Sequence, residues 1–491
     1  MNRSDRHGET PRKVAIVGGG LAGMAAAHAL ATVAPDLQVT LFESRRANGG
    51  RAGSFVDPST GDEVDYCQHV AMGCCTNLLG MLAECGLADA WTRYDSLTFH
   101  HPDFVPSPFS ASRWLPAPLH LLPTLGRLRY LTSRQKHEIR RGTWLLMRTA
   151  SRRLAGMTAA EWLRDAGQSD ATIRDYWDVV LVSALGEASQ AVAMTAARKV
   201  FVDGFLASRG ASDVLIPRLP LGELFGKRLP DSLRAQGVAI RNRTAVRSVG
   251  FASEASGHGG LVIEIGDGTL GFDQVVVAVP WHQLGKVVDE RLAAIAGLCP
   301  REWSAFPASP ISGVHLWFDR PIAAAPHAVL VGTLAQWMFS RPTEAVTDSS
   351  RAGHYYQVVI SASRSVRQIP NDLVIRQVVE ELGVAFPEAR AARLLAARVV
   401  TDPQAVFSVS PAVETARPET ATRLASLHLA GDFVRTGWPA TMEGAVISGR
   451  QAAASVLRAL GRPPCPISPG LPWGMLARWL IRREAVDSRA I

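Results

Sequence analysis

At 491 residues, the chain can build two or three domains around a large buried core. Hydrophobic residues make up 47% and charged residues 20%, and this globular usage excludes collagen-like, disordered and disulfide-scaffold chains. The net charge of +8 is concentrated, with nine basic residues and one acid, Glu138, between Arg127 and Arg153; such a run is a solvated face or an anionic membrane contact, and no accompanying module points to nucleic acid.

The first thirteen residues carry both signs of charge, unlike the start of a secretory signal. The uncharged stretch Val14 to Ala34 is long enough for a membrane span, but Gly18, Gly19, Gly20 and Gly23 suit a strand, a tight turn and a helix instead. The expected elements are therefore a strand over 13–17, a helix over 20–32 and a second strand over 38–43. A helical stretch follows over 133–205. Strand-like runs cover 238–247, 260–265 and 274–279, with turns at 257–260 and 267–268. Two β-rich runs, 310–318 and 354–361, precede a helix over 371–386. A proline-rich linker, 463–472, leads to a short last helix over 473–483. The class is α/β. The six cysteines form no CxxC pair and no zinc spacing, so no metal is expected and a reducing cytoplasm fits. The vicinal Cys74 and Cys75 read as packing residues.

The first chemical motif is Gly18-x-Gly20-x-x-Gly23, placed between a strand and an alanine-rich helix, with Glu43 twenty residues beyond. The first glycine permits the turn, the second lets a pyrophosphate approach the backbone, and the third lets helix and strand pack closely. The helix N-terminus favours the anionic phosphates, and Glu43 is the expected ribose acceptor. The motif alone does not separate NAD from FAD. Gly49-Gly50-Arg51-Ala52 follows the acid and suits the dinucleotide phosphates. Near the far end, His428-Leu429-Ala430-Gly431-Asp432 reads as a strand with a polar turn, and a helix is expected to start within Trp438 to Ala445 with a proline near its first turn.

On these motifs the chain resembles the amine oxidase and phytoene desaturase superfamily of flavoproteins. The resemblance implies FAD, with Asp432 at the ribityl or phosphate part and the backbone of Met442 and Glu443 at the flavin pyrimidine. It also implies a backbone contact from Val246 to adenine. The segments Gln68 to Thr76, Pro116 to Leu122, Arg209 to Asp213, Val314 to Asp319 and Pro439 to Ala445 are similar to those of bacterial hydroxysqualene dehydroxylases. Those relatives carry Asn-Gly before Gln-His, where this chain has Tyr66 and Cys67. The resemblance implies reductive replacement of the hydroxyl of hydroxysqualene by hydrogen, with a lipophilic C30 isoprenoid as substrate and the upstream squalene-pathway synthases as partners.

The expected architecture is a discontinuous Rossmann-type FAD-binding domain (12–110, 206–290 and 420–460) interleaved with a substrate domain of mixed sheet and helix (111–205 and 291–419), and a tail over 461–491. The cofactor set is Gly18, Gly20, Gly23, Glu43, Gly50, Arg51, Val246, Gly431, Asp432, Met442 and Glu443. The catalytic candidates are His69, Gln68, Asp65, Asp213 and His315. Asp213 sits in a glycine-flanked turn and reads equally as the N-cap of a helix from Val214. An isoprenoid desaturase and a non-catalytic flavin protein on a membrane are the competing readings. An amine oxidase fits less well, because no lysine lies on the strand 311–318. The apolar run Trp114 to Leu122, followed by the basic segment, and the last helix point to peripheral attachment at the inner membrane.

Overall fold

The computed structural model describes residues 11–252, 260–266, 268–340 and 353–482. The turns expected at 257–260 and 267–268 lie largely outside the described residues.

Five short apolar strands form a sheet in the order Ala239–Arg241, Gln38–Phe42, Lys13–Val17, Gln274–Val277 and Leu427–Leu429. Every pair in it is parallel. A parallel sheet needs cover on both faces, and here Val14 and Ile16 enter one buried cluster while Ala15 and Val17 enter the other. The first face is covered by the helix Leu21–Val33, which is buried nearly all round. The second is covered by the antiparallel layer Ser248–Phe251, Leu261–Ile265 and Gly268–Phe272. The long helix Met442–Ala459 crosses Leu21–Val33 so closely that a Cβ on Gly449 would stand 2.2 Å from the Ala22 carbonyl oxygen. The fold is thus α/β, with a Rossmann-type unit assembled from the start, middle and end of the chain.

The second sheet has seven strands, in the order Leu394–Phe407, Ala308–Phe318, His354–Ile360, Trp337–Ser340, His327–Leu330, Ser96–His101 and Phe104–Ser110. Only His327–Leu330 with Ser96–His101 is parallel. Alternation divides the side chains between two faces. Val314, Leu316, Tyr356 and Val358 pack on the helix Asn371–Ala385. His315, Tyr355, Gln357 and Phe339 take the other face, in register with one another or one step along a strand. The hairpin 96–110 belongs to this sheet although its residues fall within the first expected cofactor segment.

Several expected elements are corrected. The run 238–247 is a strand only over Ala239–Arg241, because Arg243 takes a left-handed backbone (φ 55°) and turns the chain away. Residues 133–205 form several helices rather than one stretch, broken at Gly156, Gly167 and Gly186, all at positive φ. The C-terminal helix opens at Met442 with Thr441 as its cap and Pro439 just before that cap. Asp213 caps no helix, since Val214–Pro217 is a strand. The last helix covers Met475–Leu480. Among the described residues no helix is long and apolar enough to cross a membrane.

Candidate active site

The three glycines of the first motif behave differently in space. Gly18 turns the chain at φ +114°, and a Cβ there would lie 2.5 Å from the Ala278 carbonyl oxygen. A Cβ on Gly23 would lie 2.0 Å from the Gly18 carbonyl oxygen, so this position is closed by packing. A Cβ on Gly20 meets nothing within 4 Å. That open space at a helix start is what a pyrophosphate requires. Glu43, buried at the end of the second strand, accepts the Gly19 N–H and the Arg45 N–H, both at 2.8 Å. Beside it the amide of Asn48 is buried with both polar atoms unpartnered, and a Cβ on Gly19 would stand 2.3 Å from its Nδ2. An unpartnered buried amide next to an open glycine fits a polar ligand. Gly50 continues the wall at φ +64°, where a Cβ would lie 3.3 Å from the Gly20 Cα. Val246 is half-buried in the connection after the strand Ala239–Arg241.

Arg51 reaches across to the C-terminal turn. It donates to Asp432 Oδ1 at 2.7 Å and to the Ala405 carbonyl at 2.7 Å, with its guanidinium 5.4 Å from the Trp281 ring centre. Gly431 needs its positive φ of 144°, and its N–H donates to Ser448 Oγ at 2.8 Å. Beyond this turn, Thr441 Oγ1 accepts the Gly444 N–H and the Thr441 carbonyl accepts the Ala445 N–H. This leaves the amides of Met442 and Glu443 as the forward donors of the long helix. The Glu443 side chain points elsewhere. Wholly buried, it accepts from the Asn77 N–H, the Asn77 side-chain amide and the Leu78 N–H at 2.8–2.9 Å. It therefore caps the helix Thr76–Glu84 from another part of the chain, and burial holds its carboxyl above the usual range.

The segment 65–69 lies against a small cavity lined by Asp65, Gln68, Ile216, Phe339, Tyr355 and Gln357, among others. Its apolar side belongs to a cluster of Val214, Ile216, Phe339 and Val359, with Val70 and Ile311 packed against it. Asp65 anchors the segment, accepting from Ser54 Oγ at 2.6 Å and from the Leu221 N–H at 2.8 Å. Gln68 donates to the His69 carbonyl at 3.1 Å, and His69 Nδ1 donates to the Cys67 carbonyl at 2.9 Å. Burial, aided by the Arg51 charge, pushes His69 below the ordinary histidine range. With its proton on Nδ1, neutral His69 presents a bare Nε2, an acceptor and not an acid. Asp213 is ion-paired to Arg93 at 3.0 Å. Tyr66, one of the two unusual residues, stacks on Phe55 with ring centres 5.5 Å apart. All six cysteines are free.

The comparisons with known proteins agree with this geometry. The family model described as flavin containing amine oxidoreductase matches residues 21–457. The chain belongs to that family. It is 26% identical over 458 residues to a hydroxysqualene dehydroxylase of Sinorhizobium fredii, covering 90% of this chain and 98% of the relative. It is equally 26% identical over 498 residues to a probable zeta-carotene desaturase of Synechococcus elongatus, covering 91% and 99%. Among solved structures, an oxidoreductase from Methanosarcina mazei superposes with a TM-score of 0.66 at 17% identity, covering 89% of this chain and 98% of that one. This flavin oxidoreductase accordingly uses FAD as its cofactor.

Sequence reading missed three polar residues at the candidate site, namely Asn48, Tyr355 and Gln357. The first stands immediately before the paired glycines, which was the available signal. The other two become neighbours of Asp65 and His315 only through strand register, with His315 opposite Gln357 and Tyr355 two residues along. His315 is fully buried, its Nδ1 2.8 Å from the Tyr355 hydroxyl.

Proposed function

We propose that the protein is an FAD-dependent dehydroxylase that converts hydroxysqualene, a C30 isoprenoid alcohol, to squalene. The observation that carries the reading is the mixed lining of the cavity, where Ile216 and Phe339 stand beside Gln68, Tyr355 and Gln357. A hydrocarbon offers nothing for such groups to bond, and leaving them desolvated is costly; this favours an alcohol over a desaturase substrate. Bound FAD in its reduced form supplies hydride from N5. The glycine turn, Asn48 and Glu43 would hold the adenosine and pyrophosphate, with Val246 at adenine. Arg51 and Asp432 would hold the central part, and the amides of Met442 and Glu443 would face the flavin pyrimidine. Asp65, Gln68 and His69 position the ring-side wall, and the apolar cluster keeps water from a short-lived cation.

The surface supports a membrane-borne substrate. Trp114, Met475 and Trp479 are 92%, 81% and 79% exposed. The segments that carry them converge, since Ala117, Met147, Ala477 and Ile481 share one buried cluster. Arg148, near this cluster, donates to the Leu480 carbonyl at 3.4 Å. We assign this face to an anionic bilayer, with arginines meeting headgroups.

The test is isotopic. Enzyme reduced in deuterated buffer and given hydroxysqualene should yield squalene with deuterium at the former carbinol carbon. Unlabelled squalene would exclude delivery from the flavin, and oxidation of an isoprenoid by the oxidised enzyme would establish the desaturase instead.

A further inference from the structure

The proposed reaction needs a proton for the departing hydroxyl, and the candidates read from sequence supply it poorly. Asp65 is committed to Ser54 and Leu221, Asp213 is paired with Arg93, and His69 presents an acceptor. The cavity-side face of the seven-stranded sheet holds a different arrangement. The side-chain amide nitrogen of Gln357 lies 3.2 Å from the Asp65 carbonyl oxygen and 3.4 Å from His315 Nε2. A carbonyl only accepts, so the nitrogen, not the oxygen, of the Gln357 amide faces this pair. His315 Nε2 then accepts, and its ring proton sits on Nδ1. From there it donates to the Tyr355 hydroxyl at 2.8 Å. A phenol that accepts a hydrogen bond is a better donor of its own proton, and Tyr355 lines the cavity beside Gln68.

We propose that Tyr355 is the proton donor to the substrate hydroxyl, with His315 and Gln357 as positioning residues that polarise it; this rests on the dehydroxylase reading above. The Tyr355 O–H bond breaks as its proton bonds to the substrate oxygen. The C–O bond then breaks with its electron pair leaving on water, and the carbon takes the hydride. The phenolate left behind is stabilised by the His315 N–H until solvent returns a proton. The Asp65 backbone carbonyl starts the chain, so the segment 65–69 sets the tautomer through its backbone.

The test uses holoenzyme and the Tyr355→Phe variant, in which ring volume is kept. Binding is read first, from the perturbation of oxidised flavin absorbance by hydroxysqualene and by squalene. The expected result is about a tenfold loss of affinity for the alcohol with squalene affinity unchanged. Single-turnover reduction should slow by about a hundred- to ten-thousandfold. His315→Leu should lower kcat with KM nearly constant and shift its pH profile. His315→Asn, whose amide nitrogen stands near the Nδ1 position, should restore most of the rate. Wild-type turnover in Tyr355→Phe, or wild-type protein with no preference for the alcohol over squalene, overturns the relay. If the wild type forms no squalene yet prefers the alcohol and loses that preference with Tyr355→Phe, the function reading fails and Tyr355 stands as the alcohol's ligand.

Discussion

The two sheets of this molecule would carry the proposed chemistry in opposite ways. Around the parallel sheet the working groups are largely backbone amides, and glycines at fixed spacing decide where a ligand can approach. On the seven-stranded sheet they are side chains, brought together by register between strands distant in sequence. Tyr355 and His315 are forty positions apart and meet at 2.8 Å. A backbone site is therefore written contiguously, whereas a side-chain site on a sheet is written in pairings that no local window contains.

The largest effect is expected at the glycines. Gly20→Val places its side chain in open space, so the protein should fold near its normal Tm while FAD affinity falls by about a thousandfold, roughly 4 kcal/mol. Gly23→Val drives a Cβ toward a backbone oxygen 2.0 Å away, and should cost about 3 kcal/mol of stability before any ligand is considered. Flavin absorbance and thermal melts separate the two. A Gly20→Val protein that retains FAD would remove the pyrophosphate assignment.

A second, smaller effect belongs to the parallel-sheet side. His28, on the helix Leu21–Val33, has Gln236 at Nδ1 and Glu84 at Nε2, both at 2.9 Å. Two acceptors on one ring require the imidazolium. Burial alone pushes His28 down, but Cys85, Glu84 and Gln236 outweigh it and raise it to about 9. A raised histidine stabilises fully below its unfolded value near 6.5, and the contribution is lost as pH rises through 9. At most about 3 kcal/mol is involved. Thermal stability should therefore decline between pH 6.5 and 9, and His28→Phe should flatten that limb. A wild-type melt that does not change over this range would refute the linkage.

Legibility followed the same division. The first strand, the first helix, the turn at Gly18 and the close packing at Gly23 were readable because each follows from its neighbours. The N-cap alternative for Asp213 failed because Val214 to Pro217 is too short for periodicity to distinguish strand from helix. The run 238–247 was overextended because its apolar pattern continues past Arg243, where only the backbone turns. The strand Leu394–Phe407 was missed for another reason. Residues 391–398 are all alanine, leucine or arginine, good helix formers, yet from Leu394 the chain extends along Ala308–Phe318 because an open sheet edge offers more pairing than an isolated helix would gain. His315 was visible as a histidine on a strand, but its partners were not.

The smallest effect on the fold is expected where two distant sequence segments meet at the surface. Trp114 and Trp479 leave most of their area in solvent, so replacing both with alanine should change stability by less than about 0.5 kcal/mol. Their removal should matter only to a bilayer. Each indole contributes apolar area that enters the lipid boundary, and affinity for anionic vesicles should fall about tenfold per tryptophan. Arginines of the 127–153 segment act at longer range, each worth about 1 kcal/mol near an anionic surface. Their share should vanish as salt shortens the screening length to about 3 Å at 1 M. Co-sedimentation at low and high salt, for wild type and the double variant, distinguishes the two contributions. Glu138, the one acid of that segment, is not part of this balance. It is buried and accepts from Ser169, Thr172 and Arg134, which hold it down at about 2 despite its burial. Its charge is spent inside the fold, so the face it leaves behind is basic, and vesicle binding that ignores both salt and the tryptophans would mean that this face meets water alone.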